Sequence, residues 1–133
     1  MKNRLLFLFL LMVLSFLGCL SSKVEGLSLN STRLWQIDGC GLMGYRDSIF
    51  RNNFGDREGI NKIYLNRDKK FMVKNFGKPN TFSNHLNEFE YYLYIISAVE
   101  EKGRLCDASM DTSVTFMVDI KTQKIIDIYY AIY

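Results

Sequence analysis

The chain has 133 residues, of which 48% are hydrophobic and 23% charged, and its formal net charge at pH 7 is +3. This length fits one domain with a modest buried core. The 17 basic and 14 acidic residues form no basic stripe, so nothing points to nucleic-acid binding.

The first nineteen residues have the pattern of an export signal with a lipid attachment site. Two basic residues are followed by an almost wholly apolar run over residues 5–17, which is too short to span a membrane as a helix. A basic start, a short apolar run and a small residue at the cleavage site are typical of a secretory signal peptide, here residues 1–18. Cys19 follows Gly18 directly, as in the lipobox of bacterial lipoproteins, so we expect lipidation of Cys19. Ordinary cleavage without lipid is the alternative.

Removal of the signal changes both the charge and the cysteine count. The remaining 115 residues carry 15 basic and 14 acidic side chains, a net charge of +1. With Cys19 lipidated, Cys40 and Cys106 are left as a pair in an oxidising compartment. We predict a disulfide between them, worth on the order of 4 kcal/mol because it closes a loop of roughly 65 residues. Two buried thiols are the alternative.

Residues 19–33 show little pattern and are predicted to be a tether between the membrane and a single domain over residues 34–133. Residues 42–54 place apolar side chains on one helical face, with Arg46 on the opposite, polar face, and predict a first helix. A second helix is predicted to begin with Asn66 as its cap and to end at Gly77, shortly before the only proline. The polar stretch between the two helices, residues 56–64, is ambiguous and predicts neither a helix nor a strand.

The rest of the chain is predicted to be sheet. Residues 89–96 are rich in Tyr, Leu and Ile, and residues 114–120 alternate apolar and polar side chains. A loop of about fifteen residues, 97–112, joins these strands, and a turn at 121–124 leads into a third strand over 125–132. We therefore predict an α+β fold with two helices packed on one face of a three-stranded antiparallel meander.

Four segments of this domain follow one another in a characteristic order. They are the helix start Asn66-Arg67-Asp68, the helix end Phe76-Gly77-Lys78-Pro79-Asn80, the strand Glu90-Tyr91-Tyr92-Leu93-Tyr94 and the hairpin from Val114 to Ile126. Together with the lipobox they resemble the SmpA/OmlA (BamE-like) family of small envelope lipoproteins, and in particular uncharacterised lipoproteins of the Bacteroidetes type. The resemblance covers residues 62–130. It implies helices on a three-stranded sheet, a lipid anchor and a role in outer-membrane assembly or maintenance.

The sequence lacks the residue patterns that are typical of catalysis or cofactor binding. His85 is the only histidine, and the neighbouring Ser83 and Asn84 do not complete a catalytic arrangement. No His/Cys cluster has the spacing of a metal site, and no glycine-rich loop has the pattern of a phosphate site. Glu88 and Glu90 lie two apart, but one short sheet without a pocket does not favour glycoside hydrolysis. We expect no enzymatic activity, no cofactor and no metal.

The remaining candidate for function is a binding surface on the predicted sheet. The strands carry many tyrosines, a residue that is enriched at recognition surfaces because it buries a large area at low entropic cost. The alternative is that the Trp35 segment or the long loop covers that face of the sheet, or that tyrosine is frequent here simply because it suits strands. The candidate binding-surface residues are Tyr91, Tyr92, Tyr94, Tyr129 and Tyr130.

These patterns predict a lipid-anchored, non-catalytic protein-interaction module in the bacterial cell envelope. The resemblance implies that it lies at the outer membrane and faces the periplasm. Its expected partners are the membrane, through the lipid on Cys19, and an envelope protein whose identity the sequence does not specify. The alternative is a periplasmic binding or inhibitor domain directed at a soluble enzyme.

Overall fold

The computed structural model describes residues 26–99 and 109–133. Within these residues the chain forms four helices followed by four strands. The predicted signal peptide, Cys19 and Cys106 lie outside the described residues. The elements are α1 (Leu29–Ile37), α2 (Tyr45–Asn53), α3 (Arg57–Tyr64), α4 (Lys69–Phe76), β1 (Thr81–His85), β2 (Phe89–Val99), β3 (Ser109–Asp119) and β4 (Ile125–Ile132).

The four strands form one antiparallel sheet in the order β1-β2-β3-β4, so each strand pairs with its neighbour in the chain. One row across the sheet runs from Thr81 through Leu93 and Thr115 to Tyr129. All four described helices pack on the same face of this sheet. They bury an aromatic core against it, with one ring from each helix: Trp35, Phe50, Tyr64 and Phe76.

The predicted α+β class and the antiparallel meander with helices on one face are confirmed. The predicted numbers of elements, two helices and three strands, are wrong. No apolar alternation marks β1, because all five of its side chains are exposed at the edge of the sheet. The predicted loop over 97–112 is too long, because β2 continues to Val99 and β3 begins at Ser109.

Helix α1 begins inside the predicted tether. Ser28 caps it, since the Ser28 hydroxyl accepts a main-chain N–H at 3.1 Å. Trp35 is its only buried side chain, so no apolar stripe identifies the helix in the sequence. Just before it, Leu27 is buried and donates its N–H to Oδ1 of Asn75 at 2.7 Å. The packed domain therefore begins earlier than the predicted boundary at residue 34.

The helix predicted over residues 42–54 is confirmed as α2, and the unassigned polar stretch after it forms α3. Asp56 caps α3 by accepting the N–H of Gly59 at 2.9 Å. Ile60 and Tyr64 lie four residues apart and are fully buried, so one narrow stripe attaches this otherwise polar helix to the core.

The helix predicted to end at Gly77 is confirmed as α4, but its cap is Asp68 rather than Asn66. Oδ1 of Asp68 accepts the N–H of Lys70 at 2.7 Å. Asn66 has a left-handed φ of 65° and donates its N–H to the carbonyl of Ile125 at 2.8 Å. Asn66, the predicted cap of α4, therefore connects the turn before the helix to the start of β4 through a hydrogen bond.

Candidate binding surface on the sheet

The five candidate tyrosines do not form one surface. Tyr92, Tyr94 and Tyr130 face the helices: Tyr94 is fully buried, and the ring of Tyr130 stacks on an aromatic ring of α2 at 5.2 Å. Tyr91 and Tyr129 lie on the opposite face. The predicted surface is therefore wrong for three of its five members, because successive residues of a strand point to opposite faces.

A bulge decides which face each tyrosine of β4 takes. The register shifts between Met117 and Val118, where β4 carries an extra residue. Ile125 and Ile128 are consequently both buried although they lie three residues apart. Strict alternation from Ile125 would direct Tyr129 to the core, whereas the bulge directs it away from the helices. The sequence does not mark this bulge, because Ile126 lies between Ile125 and Ile128 and its spacing to Ile128 also fits regular alternation.

The face directed away from the helices also carries residues of β1 and of the sheet ends, Asp119 among them. Its centre, which we call the open face, is formed by Tyr91, Leu93, Thr115, Met117, Asp127 and Tyr129. None of the described helices packs against it. Oη of Tyr129 lies 3.7 Å from Sδ of Met117, and Tyr129 is 44% exposed. Tyr91 lies opposite Met117 in the next strand. Two tyrosines and a thioether thus form a continuous, partly exposed apolar surface.

Asp127 is the only charged member of the open face. Its Oδ1 lies 3.7 Å from Nη2 of Arg57 and accepts the N–H of Ile128 at 2.8 Å. Hydrogen bonding to the Asp127 carboxylate raises the pKa of Tyr129 above its ordinary value of 10.0. The phenol is therefore neutral at physiological pH, and the open face is mostly uncharged with one acidic group at its rim.

The open face ends where the chain after α1 approaches β2. Ala98 donates its N–H to the carbonyl of Gly41 at 3.3 Å. A side chain at Gly41 would come within 3.1 Å of Cγ2 of Ile95, and the φ of Gly41 is +71°, so glycine suits this close approach. Ile95 and Ser113, at this end of the sheet, are buried. The exposed area is therefore centred on Met117.

Cys40 lies next to this point of approach and is disulfide-bonded. Its predicted partner, Cys106, lies outside the described residues, so the pairing of Cys40 with Cys106 stays a prediction.

A count of free thiols tests this pairing. With Cys40 bonded to Cys106 and Cys19 lipidated, the denatured, unreduced protein should contain no free thiol, and reduction should release two. Titration with a thiol reagent before and after reduction gives both numbers. Two free thiols before reduction, or a peptide map that links Cys40 to Cys19, would contradict the prediction.

A charged cluster joins the start of α4 to β2 on the helix side of the sheet. Lys69 donates to Oε2 of Glu90 at 2.9 Å, and the hydroxyl of Tyr92 donates to the same oxygen at 2.8 Å. Burial opposes ionisation of Glu90, but the hydrogen bonds from Lys69 and Tyr92 outweigh it and lower the pKa of Glu90. Glu88 lies exposed in the turn before β2, apart from this cluster, and His85 is exposed at the end of β1.

Replacing Glu90 with Gln should remove about 1 kcal/mol of stability at pH 7 and less at pH 3. Because the folded pKa of Glu90 lies below its unfolded value, its contribution is present above about pH 4.5 and is lost as the pH falls through the folded pKa. Urea unfolding at both pH values measures the difference. Glu58→Gln is the control, since the side chain of Glu58 is 75% exposed and should contribute little. Equal losses for Glu90→Gln at both pH values would contradict the prediction.

Within the described residues, no group of three His, Cys, Asp or Glu side chains could hold a metal ion. No helix in this part of the chain is long and apolar enough to cross a membrane.

The fold and the open face define a small antiparallel α+β domain with one partly exposed sheet face. Neither a scan of family models nor searches of curated proteins and of solved structures returned a match for this chain. The resemblance to the SmpA/OmlA family therefore stays a prediction from the segments quoted above.

Proposed function

We propose that the protein is a membrane-anchored lipoprotein of the bacterial cell envelope that acts as a non-catalytic protein-interaction module. The observation that carries this proposal is the open face, which presents two tyrosines and a methionine. The partner would be a folded envelope protein, in a process such as outer-membrane assembly or maintenance.

The chemistry of the open face favours a protein partner. Tyr91, Met117 and Tyr129 offer the aromatic and thioether groups that are enriched in protein interfaces. None of the six residues of the open face is basic. A nucleic acid or an anionic lipid surface would require basic side chains to neutralise its phosphates, so the open face suits neither.

Asp127 indicates the charge of the partner. Its ion pair with Arg57 is long, at 3.7 Å, and the two side chains are 42% and 55% exposed, so the pair is weak. A lysine or arginine of the partner could replace Arg57 on this carboxylate. We therefore expect a partner surface with an apolar centre and a basic residue at its rim.

The lipid on Cys19 would raise the local concentration of the domain for a partner at the membrane. Six residues lie between Cys19 and Gly26, the first described residue. The seven steps from one Cα to the next span at most about 3.6 Å each in extended chain, or roughly 25 Å. Such a short connection keeps the domain close to the membrane surface and gives a high effective concentration.

Site-specific photo-crosslinking tests the binding surface. A photoreactive residue replaces Tyr129 in the full-length chain in its native envelope, and a second variant carries it at Tyr45. Tyr45 is a matched control, because it is a tyrosine of similar exposure, 40% against 44%, but lies on α2. Position 129 should give a discrete crosslinked product that is lost when Asp127 is replaced with Lys, and position 45 should give none.

Four outcomes would count against the proposal. Crosslinks at position 45 alone, or equally at both positions, would reject the open face as the binding surface. A soluble enzyme as the product at position 129 would favour the inhibitor alternative instead of an envelope partner. Mass spectrometry of the mature N-terminus tests the anchor separately, since an unmodified peptide that starts elsewhere than Cys19 would reject lipidation.

A further inference from the structure

A half-open cleft of about 430 Å³ lies on the helix side of the domain, where the end of α1 meets the segment after α4. Its volume falls within the range of roughly 300–1,000 Å³ that is typical of small-ligand sites. It does not include any residue of the open face. The lining residues that matter here are Gln36, Arg46, Phe76, Lys78, Pro79 and Asn80.

Arg46 is the buried cation of this cleft and is only 2% exposed. Its Nε donates to the carbonyl of Trp35 at 2.9 Å, and its Nη1 donates to Oδ1 of Asn80 at 2.7 Å and to the carbonyl of Ile95 at 2.9 Å. Nη2 donates to no residue in the described part of the chain. Nη2 is not among the fully buried side-chain atoms that lack a partner, so a ligand in the cleft can reach it, and an acceptor that enters would add a charge-assisted hydrogen bond.

The charge of the cleft is positive. Burial lowers the pKa of Arg46 to about 10, with Asp38 opposing the shift, so the guanidinium is charged at neutral pH. The oxygens of Asp38 accept the main-chain N–H groups of Met43 and Arg46 at 2.9 and 3.1 Å and are thereby directed to the start of α2. Lys78 adds a second cation to the wall, and none of the described lining residues is acidic.

Asn80 fixes the geometry of the cleft before any ligand binds. Its Oδ1 accepts from Arg46 and also from the N–H of Ile95 at 2.9 Å, while its Nδ2 donates to the carbonyl of Gly39 at 2.6 Å. One side chain thus holds three separate segments together. A site that is organised in advance loses little entropy when it binds.

We propose that this cleft binds a carboxylate group, with Arg46 Nη2 and the Lys78 ammonium as its donors. The apolar part of the ligand would lie against Pro79. One guanidinium nitrogen and one ammonium suit a single negative charge beside an apolar group. A small free carboxylic acid and the terminal carboxylate of a peptide both have this chemistry.

Nuclear magnetic resonance titration of the ¹⁵N-labelled mature chain, residues 19–133, in detergent tests the proposal. The probes are N-acetyl-leucine, its neutral amide, and one hexapeptide with either a free or an amidated C-terminus. The two carboxylates should shift the amide resonances of Gly39, Gly77 and Lys78, and the two amides should not. Lys78→Gln should weaken binding about two- to fivefold, the size of an exposed ion pair. Lys74→Gln, an exposed position on α4 outside the cleft, should leave binding unchanged.

Binding of the free-carboxylate peptide at least about tenfold tighter than N-acetyl-leucine, or 1.4 kcal/mol, would assign the site to peptide C-termini. Equal affinities for the free-carboxylate peptide and N-acetyl-leucine would assign the cleft to small carboxylic acids. Three results would overturn the proposal: no shift with either carboxylate, equal shifts with acid and amide, or equal effects of Lys78→Gln and Lys74→Gln. Tyr129→Ala should not alter carboxylate binding by the cleft. A negative result for the cleft would therefore not bear on the proposal that the open face binds a protein partner.

Discussion

Replacing Phe76 with alanine should lower the free energy of unfolding by about 4 kcal/mol. The ring is fully buried and has five aromatic neighbours with centroids 4.8 to 6.2 Å away, among them Trp35, Tyr64 and Phe116. Because these neighbours come from helices and strands alike, no single element can move in to fill the cavity. Domains of this size have a total free energy of unfolding of about 5–15 kcal/mol, so the loss of this one ring would remove a large share of the stability.

Urea unfolding of the oxidised domain measures this loss, with the fluorescence of Trp35 as the probe beside the cavity. Phe82→Ala is the matched control, because it removes the same ring from an edge strand where Phe82 is 52% exposed. It should cost less than about 1 kcal/mol. Similar losses for the two variants would show that Phe76 is not the centre of the core.

Replacing Gly59 with alanine should destabilise the domain by about 3 kcal/mol, although alanine is the better helix former by about 1 kcal/mol. A Cβ at this position would lie 1.7 Å from the carbonyl oxygen of Phe54. That oxygen belongs to the main chain and cannot swing away like a flexible side chain. The N–H of Gly59 is also held by Asp56, so the turn could open only by losing the cap of α3.

Gly39→Ala is the control for this substitution, since a Cβ at Gly39 has no neighbour within 4 Å. The stability of that variant should stay within about 0.5 kcal/mol of the wild type. Urea unfolding of both variants gives the comparison. A Gly59→Ala domain that is as stable as the wild type would show that the chain between α2 and α3 does not turn as tightly as described.

The predicted elements that the structure confirms are those whose buried faces repeat along the chain. β3 alternates regularly around Phe116, and α4 has an apolar face and a glycine stop, so local patterns identify both. No repeating buried face marks β1 or α1, because β1 buries no side chain and α1 buries only Trp35. Both elements depend on neighbours that are distant in sequence, which no local pattern records.

The open face and the cleft depend on tertiary structure even more than the helices and strands do. Tyr91 and Tyr129 lie on one face because a bulge shifts the register of β4, so a count of tyrosines cannot separate them from the three that face the helices. The pattern of α2 places Arg46 on the polar face, yet Arg46 is buried. Its partners Asn80 and Ile95 are distant in sequence, and the cleft exists only once the sheet has brought them together.

The affinity of the crosslinked partner for two variants of the mature chain tests the open face most directly. Tyr129→Ala should raise the dissociation constant at least about tenfold, as for a central aromatic residue of an interface. Tyr45→Ala, the same change at similar exposure on α2, should change it less than about twofold. Equal effects of the two substitutions, or a larger effect at Tyr45, would contradict the claim that this domain binds its partner through the open face of the sheet.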